Sequence, residues 1–273
     1  MELETKRKYE ALKGILTNLD SVLVAFSGGV DSGLLLRAAA EVLPAERLLS
    51  VTARSGLNPP GELETATGLA ARLAVRHEVV AFDPLELEPV RHNSRERCYH
   101  CKTALARLLR AKAARTGLAY VVEGSHAGDL GEHRPGKKAL AEAGIFSPLH
   151  QAGLVKDEIR ALARDLGLEN WDRPTQACLA TRFPYGVTLE PAGLRQVFEA
   201  EAFLAREGLF GVRARHHGRI LRLEFPAALE DRIAEAGLRR RLAEGLAALG
   251  FTFVTLDLAG YRSGVFDRVE DHA

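Results

Sequence analysis

The sequence predicts an α/β protein, with a parallel sheet covered by helices on both faces and a smaller C-terminal α+β domain. Three observations predict it. Short continuous apolar runs alternate with stretches of helical spacing through the first two-thirds of the chain. A glycine-bearing hexapeptide, Ser27-Gly28-Gly29-Val30-Asp31-Ser32, directly follows the first of those runs. After Tyr185-Gly186 the pattern becomes helix, two strands, helix and strand.

Leu12, Ile15, Leu16 and Leu19 follow helical spacing and predict an N-terminal helix. Residues 22–26, Val-Leu-Val-Ala-Phe, are a buried strand, and helical spacing resumes at Leu34, Leu35 and Ala38. Further buried strands are expected at 48–53, 75–82 and 119–123, with helices near 62–73 and 102–116. Residues 124–150 hold five glycines and two prolines and read as a long functional loop with little regular structure. A helix follows at 156–166. Beyond it, helices are expected at 191–207 and 227–249, with strands at 211–218, 220–225 and 251–258. The domains are therefore expected at 1–185 and 186–273, with the boundary inside 182–190.

Composition excludes several classes. The 273 residues suit two domains, and 47% hydrophobic with 27% charged residues is globular, neither disordered nor fibrous. Lys+Arg of 37 against Asp+Glu of 36 gives +1, which argues against a general nucleic-acid coat protein. No apolar run approaches the roughly 18 residues that span a bilayer. The opening MELETKRKYEAL has no apolar stretch behind its charges, so no secretory signal is expected. Three cysteines make no disulfide framework, and a cytoplasmic location is expected.

The hexapeptide is the most informative string. Between a buried strand and a helix it can cradle an anion, because its backbone N–H groups and the helix N-terminus carry positive partial charge. Its glycines let phosphate approach, Ser27 and Ser32 add hydroxyl donors, and Asp31 can order the loop or a Mg²⁺. It is not a Walker A loop, since the lysine is missing. Gly131-x-x-x-x-Gly136-Lys137-Lys138 comes near one, but it lacks the Ser/Thr and the preceding strand.

Cys98 and Cys101 stand at ligand spacing ahead of the 102–116 helix, and Cys178 is far away in sequence. Three thiolates suit a 4Fe–4S cluster with one iron open to a further sulfide. With His100, His92 or His126 they would instead suit tetrahedral zinc. Buried inert thiols or a redox pair are the remaining readings.

Ser27–Ser32 after a first strand resembles the PP-loop ATP pyrophosphatases, the adenine nucleotide α-hydrolase group with its Rossmann-like sheet. The resemblance implies ATP cleaved between its α- and β-phosphates, Mg²⁺, pyrophosphate held by Ser27, Gly28, Gly29, Asp31 and Ser32, and adenosine across the strand ends. Residues 52–55, Thr52 first, would touch the adenosine. Further strings are Arg97-Cys-Tyr-His-Cys-Lys102, Glu123-Gly124-Ser125, Arg134-Pro-Gly136 and Ser147-Pro-Leu149. Gly153-Leu-x-Lys156-x-Glu-Ile-Arg160, Cys178-Leu-Ala-Thr-Arg182-x-Pro-Tyr-Gly186 and Tyr261-Arg-Ser-Gly264 complete the set. Together they resemble the LarE family of ATP-dependent sulfur transferases, which help build the nickel-pincer nucleotide.

That resemblance implies adenylation of a carboxylate of pyridinium-3,5-biscarboxylic acid mononucleotide and its conversion to a thiocarboxylate. Cys178 matches the sulfur-bearing cysteine. Some members sacrifice that sulfur, whereas members with an added Cys-x-x-Cys hold a 4Fe–4S cluster carrying an extra sulfide. The added pair, Cys98 and Cys101, favours the cluster form with Cys98, Cys101 and Cys178 as its ligands. Glu123, Gly124 and Ser125 would line the nucleotide, although Gly124-Ser125-His126 departs from the expected Gly-Thr-Asn pattern. Lys102 would steer substrate anions or support the adenylate. Arg182, Arg213 and Arg215 would take the substrate phosphate, the latter two from one face of a strand. Glu201, Glu224 and Asp231 would bind metal or shape a subunit contact, since family members form trimers and hexamers. A PP-loop tRNA thiolase is the competing enzyme, and near-neutral charge counts against it.

Overall fold

The structure, a computed structural model, describes residues 2–129, 135–173, 176–262 and 266. Its first elements are α1 (Leu3–Leu19), β1 (Val22–Ala25), α2 (Val30–Val42), β2 (Leu48–Arg54), α3 (Glu62–Arg72) and β3 (His77–Ala81). Next come α4 (Glu88–Arg91), α5 (Arg97–Arg115), β4 (Tyr120–Val122), α6 (Pro135–Glu142), α7 (Pro148–Gln151) and α8 (Lys156–Asp165). The last are α9 (Pro191–Arg206), β5 (Arg213–His217), β6 (Ile220–Glu224), α10 (Glu230–Ile233), α11 (Ala236–Ala247) and β7 (Phe253–Leu256). Among the described residues no helix is long and apolar enough to cross a membrane.

The chain divides into two compact units. Met1–Ser55, Gly61–Pro84 and Glu96–Thr175 form the first; Gly56–Pro60, Leu85–Arg95 and Gln176–Ala273 form the second. The first unit holds an all-parallel sheet in the order β3-β2-β1-β4. Side chains alternate across β1: Val22 and Val24 join the core with Leu12 and Leu16 of α1, Leu35 of α2 and Ile159 of α8. Leu23 faces the other way, onto Leu49, Val51, and Ala106, Leu109 and Ala113 of α5. A sheet buried on both faces needs continuous apolar strands, so residues 22–26 carry no polar side chain. Strand order reverses at β1, with β2 on one side and β4 on the other, so the crevice of this fold opens where β1 and β4 end.

The second unit has a three-stranded sheet, β5-β6-β7, with β5 antiparallel and β7 parallel to β6. Ala214, Leu221 and Leu223 pack with Leu204 of α9 and Leu238, Leu242 and Leu246 of α11. Register puts Arg213 opposite Glu224 and Arg215 opposite Arg222 on the other face.

Three local expectations need correction. Residues 124–150 are not a loop of little structure, since α6 and α7 lie there and Phe146 bridges to Val122. Pro135 and Pro148 open those helices and Gly144, at φ 67°, follows α6; these residues act as start and stop signals. α5 starts at Arg97, so Cys98 and Cys101 are inside a helix, not ahead of it. The expected 227–249 helix is broken into α10 and α11.

His77 and His216 are partly buried in the two units, and desolvation lowers the pKa of each below the ordinary histidine range. His77 accepts or donates one hydrogen bond with Ser50 Oγ at 3.0 Å and lies edge-on to Phe26. With folded values depressed, the unfolded chain binds more protons below its own histidine pKa near 6.5, so stability present above that pH is lost as pH falls. The melting temperature is expected to fall between about pH 7.5 and 5.5, and to fall by less in His77→Asn. Differential scanning fluorimetry across pH reads this; a flat profile would refute it.

Candidate active site

β1 delivers the chain into the loop at the switch point. Thr52 Oγ1, buried on β2, donates to the Phe26 carbonyl at 2.6 Å and fixes the strand's exit. Gly28 follows at φ 78°, and a Cβ there would lie 2.8 Å from the backbone nitrogen of Ala66, so only glycine fits. Gly29 caps α2, Ser32 Oγ donates to its carbonyl at 3.2 Å, and Ser27 Oγ and Ser32 Oγ are 3.2 Å apart. The first-turn amides of α2 lack intrahelical acceptors, so this end carries positive partial charge.

The exit of β4 meets the same place. A Cβ on Gly124 would stand 3.0 Å from the Ser32 backbone nitrogen, so the two loops approach backbone to backbone. Glu123 accepts from the Ser125 amide at 3.0 Å, from Ser125 Oγ at 2.9 Å and from Ser147 Oγ. The exit loops of β1 (residues 27–32) and β4 (residues 123–125) are thereby brought together at the C-terminal ends of those strands, with Thr52 bonded to the exit of β1.

One residue there was missed. Lys156, at the start of α8, places Nζ 2.7 Å from both carboxylate oxygens of Asp31. Its signal was present in the Gly153–Arg160 string, but sequence spacing gave it no partner 125 residues away.

Cys98 and Cys101 sit on adjacent turns of α5, three residues apart and hence on one face. Cys98 is exposed and Cys101 half-buried. Lys102 is exposed beside them. α6 packs across this turn through Gly136, where a Cβ would lie 3.2 Å from Lys102 Cγ and 3.5 Å from the Cys98 carbonyl. Tyr99 donates its hydroxyl to Glu142 of α6 at 2.6 Å, and that bond raises the phenol's pKa.

Cys178 belongs to the second unit, where it is exposed at the head of a short 3₁₀ turn, Leu179–Arg182. Side chains from distant segments grip that turn. Arg182, fully buried, holds Glu201 bidentately at 2.7 and 2.9 Å. Its remaining nitrogen donates to the Ala177 carbonyl at 3.0 Å and to Thr181 Oγ1 at 2.7 Å. Arg215 donates to the Thr181 carbonyl at 2.6 Å and to Glu224 at 2.7 Å. Asn93, buried in the left-handed region at φ 48°, donates to the carbonyls of Phe183 at 3.1 Å and Pro184 at 2.8 Å. Arg213 lies 5.2 Å over the Tyr261 ring; burial first, then the charge of Arg182, lowers its pKa.

The sequence assigns Arg182, Arg213 and Arg215 to a substrate phosphate; in the structure Arg182 and Arg215 are committed to carboxylates and to the Cys178 turn. Glu201 and Glu224 are likewise engaged by arginines, and Asp231 is exposed on α10. Among the described residues no group of three or more His, Cys, Asp and Glu side chains is gathered to hold a metal ion. None of the three cysteines forms a disulfide or lies in a core, so they are not buried thiols. Accessible thiols, two of them one helical turn apart, are the donor chemistry that thiolate-held iron requires. Gly131, Arg134 and Gly264 lie outside the described residues.

No family model matches the chain. It is 38% identical over 258 residues to the pyridinium-3,5-bisthiocarboxylic acid mononucleotide synthase of Lactiplantibacillus plantarum, covering 94% of this chain and 92% of the relative. It is 37% identical over 262 residues to an uncharacterized protein of Synechocystis, covering 96% and 97% of the two chains. An uncharacterized protein of Methanocaldococcus jannaschii is 27% identical over 242 residues, 89% of this chain and 91% of its own. With identity spread over nearly its whole length and the anion loop at the switch point of a parallel sheet, this chain belongs to the LarE family of ATP-dependent sulfur transferases.

Proposed function

We propose that the protein adenylates a carboxylate of pyridinium-3,5-biscarboxylic acid mononucleotide with ATP and converts it to the thiocarboxylate. The observation that carries this reading is the near-full-length likeness to a synthase named for the bisthiocarboxylic product. Activation is needed because a carboxylate is a poor electrophile and oxide a poor leaving group. The substrate carboxylate oxygen attacks the α-phosphorus, the bond to the bridging oxygen breaks, and pyrophosphate leaves. The unpaired first-turn amides of α2, behind its Gly29 cap, would take that leaving charge, and the hydroxyls of Ser27 and Ser32 would turn from their present partners to donate to it. Asp31 suits a Mg²⁺, and Lys156, displaced from it, is then within reach of the pyrophosphate oxygens. Glu123 holds Ser125 and Ser147 in place at the nucleotide's other edge. Thr52 contributes from below, and Lys102 attracts the anionic substrate.

Sulfur then displaces AMP from the acyl-adenylate. Cys98, Cys101 and Cys178 would hold a 4Fe–4S cluster, which when bound supplies a sulfide nucleophile without consuming a side chain. Arg213 and Arg215 offer guanidinium charge for the nucleotide phosphate, and Arg182 braces the Cys178 turn. A single-turnover course, in which Cys178 gives up its own sulfur, is the second reading, favoured by the exposure of that thiol on a braced turn. Small nucleotide substrate, cytoplasmic location and a homo-oligomeric assembly complete the proposal.

Anaerobically prepared protein incubated with Mg·ATP and the biscarboxylate mononucleotide is expected to release one pyrophosphate per carboxylate converted. Mass spectrometry should show about 16 Da gained per oxygen replaced by sulfur. Pyrophosphate released without any gain in product mass, or retention of tRNA with thiolation of its bases, would overturn the substrate assignment.

A further inference from the structure

We propose that Asn170 is a positioning residue for the anion loop, a latch that fixes the direction of the Gly29 amide. The inference rests on the reading that this loop receives the phosphates of ATP. Asn170 is 6% exposed, on the turn that follows α8, and its Nδ2 donates to the Gly28 carbonyl at 2.8 Å. The Gly28–Gly29 peptide is trans and planar, so anchoring its carbonyl inward sends the Gly29 N–H the opposite way. Among the described residues that N–H has a single long contact, 3.4 Å to Ser27 Oγ. A phosphate oxygen can displace a contact of that length.

The amide bears the mark of a retained function. Only its amino group can serve the Gly28 carbonyl, and its Oδ1 is buried with no hydrogen-bond partner among the described residues. A small apolar side chain would avoid that burden, so the donor is what the position supplies. Neighbouring residues make room for it and hold it still. A Cβ on Gly33 would come within 3.1 Å of Nδ2, so glycine in the first turn of α2 keeps the amide's place open. Arg160 of α8 donates to the carbonyls of Trp171 and Arg173, each at 3.0 Å, and the Arg173 amide closes back onto the Asn170 carbonyl at 3.2 Å. Ala66 blocks the other side of Gly28. The loop's shape therefore depends on a turn 142 residues away in sequence.

The full chain tests this through Mg·ATP binding by calorimetry, steady-state pyrophosphate release and thermal midpoint. Asn170→Ala is expected to raise the Kd and KM for ATP about tenfold, with kcat changing less. Asn170→Asp, which sets a negative acceptor against the Gly28 carbonyl, should raise them about a hundredfold. Arg160→Lys, which loosens the turn and leaves the amide in place, should give a rise of about threefold and decides the matter if both Asn170 variants fail to fold. A merely structural role would lower the midpoint and the active fraction, reducing kcat with KM unchanged. Wild-type ATP affinity in folded Asn170→Ala, or in Arg160→Lys alone if the others do not fold, would overturn the latch. Wild-type protein that binds neither Mg·ATP nor inorganic pyrophosphate would overturn both the latch and the loop reading. Wild-type protein that binds Mg·ATP but leaves the biscarboxylate nucleotide unchanged would defeat only the proposed substrate, and the binding comparison would still judge Asn170.

Discussion

Cys178→Ala protein is expected to release a burst of about one pyrophosphate per chain and then almost stop, with thiocarboxylate reduced at least about a thousandfold. The crevice that would hold ATP is built from the loop of residues 27–32, from Glu123–Ser125 and from Lys156, all in the first unit. Cys178 is in the second, so removing its thiol leaves the adenylating groups intact. Adenylate should form, find no sulfur, and turn over only as fast as water hydrolyses it. Rapid quench for pyrophosphate and mass spectrometry for product separate the two steps. Loss of the burst together with the product would show that Cys178 serves nucleotide binding instead. Cys98→Ala divides the two sulfur routes. If all three thiolates hold a cluster, the variant should lose iron and multiple turnover. If Cys178 sacrifices its sulfur, the variant should match wild type, and wild-type chains should lose about 34 Da, one H₂S, per turnover.

Much of the first unit was legible because its signals are local. The apolar run at 22–26, the glycines at 28 and 29 and the serines at 27 and 32 lie within one strand-to-helix turn, and each has a job dictated by short-range geometry. The paired thiols were legible as a pair from their spacing, though the helix that carries them begins five residues earlier than the apolar periodicity indicated. What could not be read was pairing across distance. Lys156 with Asp31, Asn170 with Gly28 and Asn93 with Phe183 join residues at separations of 90 to 142 in the chain. Nothing in the local pattern around Asn170 distinguishes a latch from an ordinary turn asparagine. Arginine shows a related limit. Alternation puts Arg213 and Arg215 on one strand face, but it does not show that both are buried, with the Thr181 carbonyl on Arg215 and the Tyr261 ring under Arg213. Glycine and proline in 124–150 were ambiguous because the same residues punctuate loops and start or stop helices.

The burial of those arginines leads to the second large effect. Arg182→Met is expected to destabilise the second unit by about 3–5 kcal/mol, because Glu201 is left as a buried charge without its bidentate partner. Glu201→Met should cost a similar amount, leaving the guanidinium unpaired and the Ala214 amide without its acceptor at 3.2 Å. In the double variant no buried charge is stranded, so most of the loss should return, to within about 1–2 kcal/mol of wild type. Urea unfolding of the four proteins measures that coupling, and strictly additive losses would rule out the ion pair as their cause. Stability and function should then part company. Methionine cannot donate to the Ala177 carbonyl or to Thr181 Oγ1, so the double variant regains its fold without regaining the grip on the Cys178 turn. Product formation in the double variant should therefore stay at least about tenfold below wild type while the pyrophosphate burst is unchanged. Full recovery of sulfur transfer alongside stability would mean that the buried pair serves only the fold, and that a turn held by Arg215, Thr181 and Asn93 presents the thiol well enough without Arg182.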